Sequence, residues 1–207
     1  MRNSNITHGA GLTGMVLIAS FLVAGSTSNI MLEDVDRLNQ EMETIANDVL
    51  EEIMNYLKIE DVVGKYYYNG TVKRVEKIVL TVKQYINNPI NISELKIEVS
   101  NDEDVIIKNF YGKSFKIDSY TLFQHIAWES LKNNTFGVLV TGDKDRSILD
   151  HNIMNDEPIY ILIPLPEQFK MGNKESMSIS IIPNNGIATS TYIETPSFHT
   201  KNIISFS

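Results

Sequence analysis

The hydrophobic pattern of the chain changes character twice. From Leu12 to Leu32 apolar residues dominate, with small residues interleaved. The run is close to the roughly 20 residues that a bilayer-spanning helix needs. From Val35 onward the apolar positions Val35, Leu38, Met42, Ile45, Val49, Ile53 and Leu57 recur at steps of three and four among charged residues. That spacing is the signature of a helix buried along one stripe. No Gly or Pro interrupts the second segment before Gly64. The two segments therefore read as one helix running to about Leu57, far longer than the mean of about 11 to 12 residues. Its front half has nothing in a small domain to lie against. Ser20, Ala24 and Ser28 add the spacing of small residues that lets apolar helices approach closely.

After Gly64 the period becomes short and alternating. Val72 to Tyr85, Glu94 to Val99, Val105 to Phe110, Phe136 to Thr141, Pro158 to Leu165, Ser176 to Ile182, Ile187 to Glu194 and Asn202 to Phe206 are rich in β-branched and aromatic residues and predict strands. Met177, Ile179 and Ile181 share one face of their run and three serines the other. Turn formers such as Asn87-Asn88-Pro89, Gly142-Asp143 and Asn184-Asn185-Gly186 separate the runs. The expectation is an antiparallel sandwich or barrel. Tyr120 to Leu131 fits a bent strand or a short helix equally well.

Composition narrows the function. The chain has 207 residues, no Cys and a formal net charge of -8. That length suits one domain plus an appendage. The absence of Cys removes disulfide frameworks and thiolate metal sites. The negative balance argues against nucleic acid, whose phosphates demand clustered Lys and Arg. Acidic residues concentrate between Glu33 and Glu60, where only Arg37 and Lys58 oppose them. A solvated helix face accounts for such a run, and a face meeting basic groups on neighbouring subunits is the alternative.

Markers of catalysis are missing. His8, His125, His151 and His199 lie far apart, without the close neighbours of a zinc site. No phosphate-cradling or nucleophile-elbow motif occurs. The loop Gly142 to Asp150 holds carboxylates at alternate positions but lacks the Gly and the terminal Glu of an EF-hand, so no metal is assigned to it. No cofactor and no enzymatic activity are expected. Sequons at Asn69, Asn91 and Asn133 stand beside turns as candidate glycan acceptors.

The polar leader ending at Gly9, the opening Ala10-Gly11-Leu12-Thr13-Gly14 onto an apolar helix, and the β-rich remainder together resemble archaeal flagellins (archaellins), the type IV pilin-like subunits of the archaellum. Downstream segments extend the likeness in order. They are Val72 to Ile97 with its P-I-x-I-S-x-L continuation, Gly137 to Asp143, Ile161 to Leu165, Ile179 to Gly186 with its I-I-P-x-x-G element, and Thr195-Pro196-Ser197-Phe198.

The resemblance implies an α+β fold: a long N-terminal hydrophobic and amphipathic helix followed by an Ig-like antiparallel β-sandwich. Residues 1–9 would be the leader, 10–60 the filament-core helix and 61–207 the outer domain. It further implies cleavage by a prepilin-type peptidase between Gly9 and Ala10. The family has Lys or Arg before the junction Gly; this chain has His8, and Gly11 is the alternative junction.

Filament-core packing would fall to Gly14, Leu17, Ile18, Phe21, Leu22, Ala24 and Gly25. The implied function is that of a structural subunit of the archaellum filament, self-assembling into a helical shaft for swimming. Implied partners are other copies or other archaellin isoforms, an assembly ATPase with its membrane platform, and the cytoplasmic membrane that holds the precursor before it reaches the surface filament. The competing reading is an adhesive pilin or a membrane-anchored accessory protein of the same machinery. Secretory cleavage near Ala24-Gly25-Ser26 would instead leave a soluble acidic domain.

Overall fold

The computed structural model describes residues 35, 37–50, 53–68, 70, 72–86, 88–117, 121–198 and 201–206. The chain divides into two compact units, 1–49 and 50–207. Helix α1 covers 37–50, and residues 53 and 54 are again helical.

Strands begin earlier than the periodicity predicts. β1 spans Leu57–Tyr68, followed by β2 (Lys73–Gln84), β3 (Ile90–Asn91), β4 (Lys96–Ser100), β5 (Val105–Lys116), the short helix α2 (Ala127–Ser130) and β6 (Thr135–Val140). Then come α3 (Ser147–His151), β7 (Ile153–Met154), β8 (Ile159–Pro164), β9 (Ser176–Ile182), β10 (Thr189–Glu194) and β11 (Ile203–Phe206).

β1 corrects the expectation that helix extends to about Leu57 and that the helical segment reaches residue 60. Leu57 continues the i, i+4 series by coincidence, but the residues after it are dominated by Ile59, Val62, Val63 and Tyr66 to Tyr68. Such residues favour a pleated, half-buried surface, and eleven residue pairs register β1 against β2, from Leu57 opposite Gln84 to Tyr68 opposite Lys73. Gly64 sits mid-strand because a Cβ there would come within 2.8 Å of the Phe206 ring on β11.

Nine strands form one hydrogen-bonded sheet in the order β10-β9-β4-β5-β6-β8-β2-β1-β11, and β3 pairs with β7 apart from it. Two differences separate this arrangement from the expected antiparallel sandwich. The ladder is a single sheet, and β5 and β6 run parallel. The α+β class stands, dominated by this sheet. Parallel neighbours require a crossover connection, and the segment between β5 and β6 supplies it. Its Phe123, Ala127 and Trp128 pack on Val79, Leu139 and Leu162, covering one face of β2, β6 and β8. The ambiguous stretch thus belongs to a crossover and carries the single helical turn of α2.

Ile78 and Leu80, Val138, and Ile161 and Ile163 point to the opposite face and join the main core. Buried residues from near both ends of the sheet, Val62 of β1 and Ile193 of β10, belong to that same core. The sheet must therefore curl around it. Thr189 Oγ1 donates to the Leu57 carbonyl at 2.5 Å, tying the start of β10 to the start of β1. Thr195 is almost wholly buried and staples the segment after β10: its Oγ1 donates to the Gly172 carbonyl at 2.6 Å and accepts from the Glu175 amide at 3.0 Å.

Candidate assembly surfaces

A surface for assembly should show apolar side chains that the subunit's own fold leaves uncovered. Helix α1 meets that description. Leu38, Met42, Ile45 and Val49 keep 55%, 67%, 62% and 47% of their surface exposed. They recur at i, i+4, i+7 and i+11, one side of a 3.6-residue helix. Most of the remaining positions are polar or charged, including the Arg37–Glu41 pair at 3.4 Å. An exposed pair of this kind contributes little stability. Tertiary packing normally supplies most of a helix's stability, so a stripe in water is a helix awaiting neighbours.

Among the described residues no helix is long and apolar enough to cross a membrane. Gly9, Ala10, Gly14, Leu17, Ile18, Phe21, Leu22, Ala24 and Gly25 lie outside the described residues, as do Asn69, His8 and His199. Asn91 is exposed at the start of a 3-10 turn; its Oδ1 accepts from the Ser93 amide and its Nδ2 donates to Glu94. Asn133 is exposed in the turn before β6. Its carbonyl accepts from Nζ of Lys108, a fully buried lysine on β5 whose burial pushes its pKa down to about 8. Nothing in the sequence signals this buried cation. Its place among Ile106 and Phe110 on the inward face is visible only once the strand's orientation is known.

The acidic loop before α3 is a capping device. Asp143 accepts from the Ile148 and Leu149 amides at 3.3 and 2.8 Å, satisfying donors at the start of the helix. Asp145 accepts from the Ser147 amide, which holds its carboxyl below the usual range. Among the described residues no group of three or more potential ligands converges on a metal position. His125 is nearly buried and satisfied: the Ala127 amide donates to Nδ1, which leaves Nε2 to donate to the Lys116 carbonyl at 3.1 Å. His151 is exposed on α3. The cluster Arg74, Glu76, Glu167 and Lys170 is an internal clamp between β2 and the segment after β8, with Lys170 Nζ at 2.8 Å from both carboxylates. The Glu167 and Glu76 hydrogen bonds raise the Lys170 pKa.

No protein-family model matches the chain. It is 23% identical over 164 residues to Flagellin B5 of Pyrococcus abyssi, a match covering 73% of this chain and 74% of that protein. The structure superposes on archaeal flagellin FlaB1 from Methanocaldococcus jannaschii with a TM-score of 0.61 and 17% identity, covering 72% of this chain and 95% of that one. The chain has the archaellin fold. The subunit of the archaeal flagellum of Methanospirillum hungatei strain JF1 also matches, with a TM-score of 0.54 and 14% identity over 93% of this chain and 96% of that one. Within the archaellin fold, the sequence segments that carry the likeness occupy β2, β6, β8, β9 and the Thr195 staple.

Proposed function

We propose that this chain is an archaellin, a structural subunit that self-assembles into the helical archaellum shaft used for swimming. The observation that carries the reading is the exposed apolar stripe of α1 on a chain whose sheet unit buries its own core. The stripe continues the pattern of the apolar segment Leu12 to Leu32, so one long helix supplies a spine for many copies. Heterologous contacts that do not close generate an open filament. Each front half left in water would expose more than ten apolar side chains, at about 1.5 to 3 kcal/mol for each large one. Subunit loss is therefore slow.

Before assembly, cleavage between Gly9 and Ala10 by a prepilin-type peptidase leaves the apolar segment in the cytoplasmic membrane as a single span. Extraction exchanges lipid for helix contacts of similar polarity, which makes close packing at Gly14, Leu17, Ile18, Phe21, Leu22, Ala24 and Gly25 the driving term. An assembly ATPase and membrane platform supply the work. Residues 1–9 are then the leader, the helix is the filament core, and the curled sheet is the outer domain, carrying the acceptor sequons at Asn69, Asn91 and Asn133. The role is structural and requires no enzymatic step.

Electron microscopy of sheared surface filaments, with mass spectrometry and N-terminal sequencing of the subunit, tests the reading. The expected result is this chain in the filament, beginning at Ala10. A chain beginning near Ser26, or absent from filaments, overturns it.

A further inference from the structure

Two of the motif segments, Pro89 to Leu95 and Ile181 to Gly186, meet across one cleft with Asn55, the residue directly after the helical pair 53 and 54. Asn55 Nδ2 donates to the Asn185 carbonyl at 2.5 Å, and Asn55 Oδ1 accepts from Asn88 Nδ2 at 2.8 Å. Asn88 is itself held, because Gln84 Nε2, nearly buried at the end of β2, donates to the Asn88 carbonyl at 2.7 Å and to the Met154 carbonyl at 2.9 Å. A continuous relay thus runs from β7 and β2 through Asn88 and Asn55 to the β9–β10 loop. The next residue adds a second tie: the Tyr85 amide donates to the Tyr56 carbonyl at 3.1 Å, and the two rings meet edge to face at 5.9 Å. Gly186 completes the fit, since a Cβ there would lie 2.9 Å from the Asn55 Cβ and 3.2 Å from its carbonyl oxygen.

We infer that Asn55 is a positioning residue, a pin that locks the 53–56 segment, where the chain enters β1, to Asn88 and the 183–186 loop, so that a pull on this entry segment is shared by the ends of β2 and β9 instead of falling on β1 alone. The side-chain type follows from the geometry. One end must donate to a carbonyl and the other must accept from an amide, within a single short side chain; among the short side chains only an Asn carries both groups in that arrangement. The mechanical part of the inference rests on the filament reading. The latch itself does not.

The test uses the full-length chain in detergent and in filaments. Asn55→Asp keeps the acceptor toward Asn88 and loses the donor toward Asn185; Asn55→Ala loses both. In hydrogen exchange, Asn55→Asp should speed exchange in the 184–187 stretch about tenfold, the loss of one bond of about 1.4 kcal/mol, while leaving the Tyr85 amide protected. Asn55→Ala and Gly186→Ala should expose both regions, with β6 and β8 amides unchanged. Filaments of Asn55→Ala should be measurably more flexible than native ones in micrographs.

Unchanged exchange around 85–88 and 184–187 in Asn55→Ala overturns the latch. Altered exchange with filaments as stiff as native overturns its mechanical role. If the native chain is not found in filaments, the filament reading falls and the mechanical role with it, while the exchange pattern still decides the latch.

Discussion

Replacing Met42 and Ile45 together by Gln tests whether the α1 stripe is a packing surface. Gln keeps the side-chain length and approximates the helix propensity of Met, so the helix survives while its apolar face is broken. Full burial of a large apolar side chain is worth about 1.5 to 3 kcal/mol. Met42 and Ile45 retain 67% and 62% of their surface for a partner to cover. Assembly therefore gains about 1 to 2 kcal/mol at each position, and the double substitution removes about 2 to 4 kcal/mol per subunit. That corresponds to roughly 30- to 1,000-fold faster subunit loss if the whole difference enters dissociation. Sheared filaments of native chain, the double variant and Glu43→Gln would be incubated in graded guanidinium, and the released subunit followed by sedimentation. The expected order of resistance is native equal to Glu43→Gln, with the double variant well below both. Equal resistance of all three would refute the reasoning, because an exposed stripe that no partner covers contributes nothing to the filament.

Other consequences concern the sheet unit. Trp128→Ala strips the cover from Val79, Leu139 and Leu162 and should cost about 3 to 5 kcal/mol in urea unfolding. Thr195→Val is nearly isosteric but leaves the Gly172 carbonyl and Glu175 amide without their partner; a loss of about 2 to 3 kcal/mol is expected in the same assay. Lys108 gives a pH signature. Its folded pKa of about 8 lies below the usual lysine value, so between about pH 8 and 10.4 the unfolded chain binds a proton that the folded chain does not, and stability rises with pH. Lys108→Met should therefore gain most at pH 7, and its advantage over native should shrink by roughly 3 kcal/mol or less at pH 10.5, read from denaturant midpoints.

Much of the sheet was legible because its strands alternate. Ser176–Ile182 is predicted and found with the same bounds, its Met177, Ile179 and Ile181 buried. The failures share a cause: local pattern does not carry long-range pairing. Leu57 extends a helical series, yet β2 claims it. Ile90–Asn91 and Ile153–Met154 are too short to show any period and become strands only by meeting each other. The parallel β5–β6 pair depends on where the 117–134 segment travels, and that segment is ambiguous because its apolar residues pack on one sheet face instead of repeating along a strand. Of the assembly surface, the α1 stripe was legible directly. The Asn55 pin was not, since its partners lie 33 and 130 residues away and polar contacts of that reach leave no periodicity.

The two units face opposite packing problems. In the sheet unit β2, β6 and β8 bury both faces, one against the curled core and one under Trp128, so its stability is settled within one chain. In α1 the alternation of charge and apolar stripe is equally well formed, but its hydrophobic term is left in water. A regular apolar stripe at every third or fourth position that stays exposed is one half of an interface, and under the filament reading another copy supplies the other half. On that reading, the conflict within the isolated subunit would be relieved by copies aligning stripe against stripe. Substitutions on the stripe should accordingly alter the filament and leave the urea midpoint of the sheet unit unchanged, whereas Trp128→Ala and Thr195→Val should lower that midpoint before they affect the shaft.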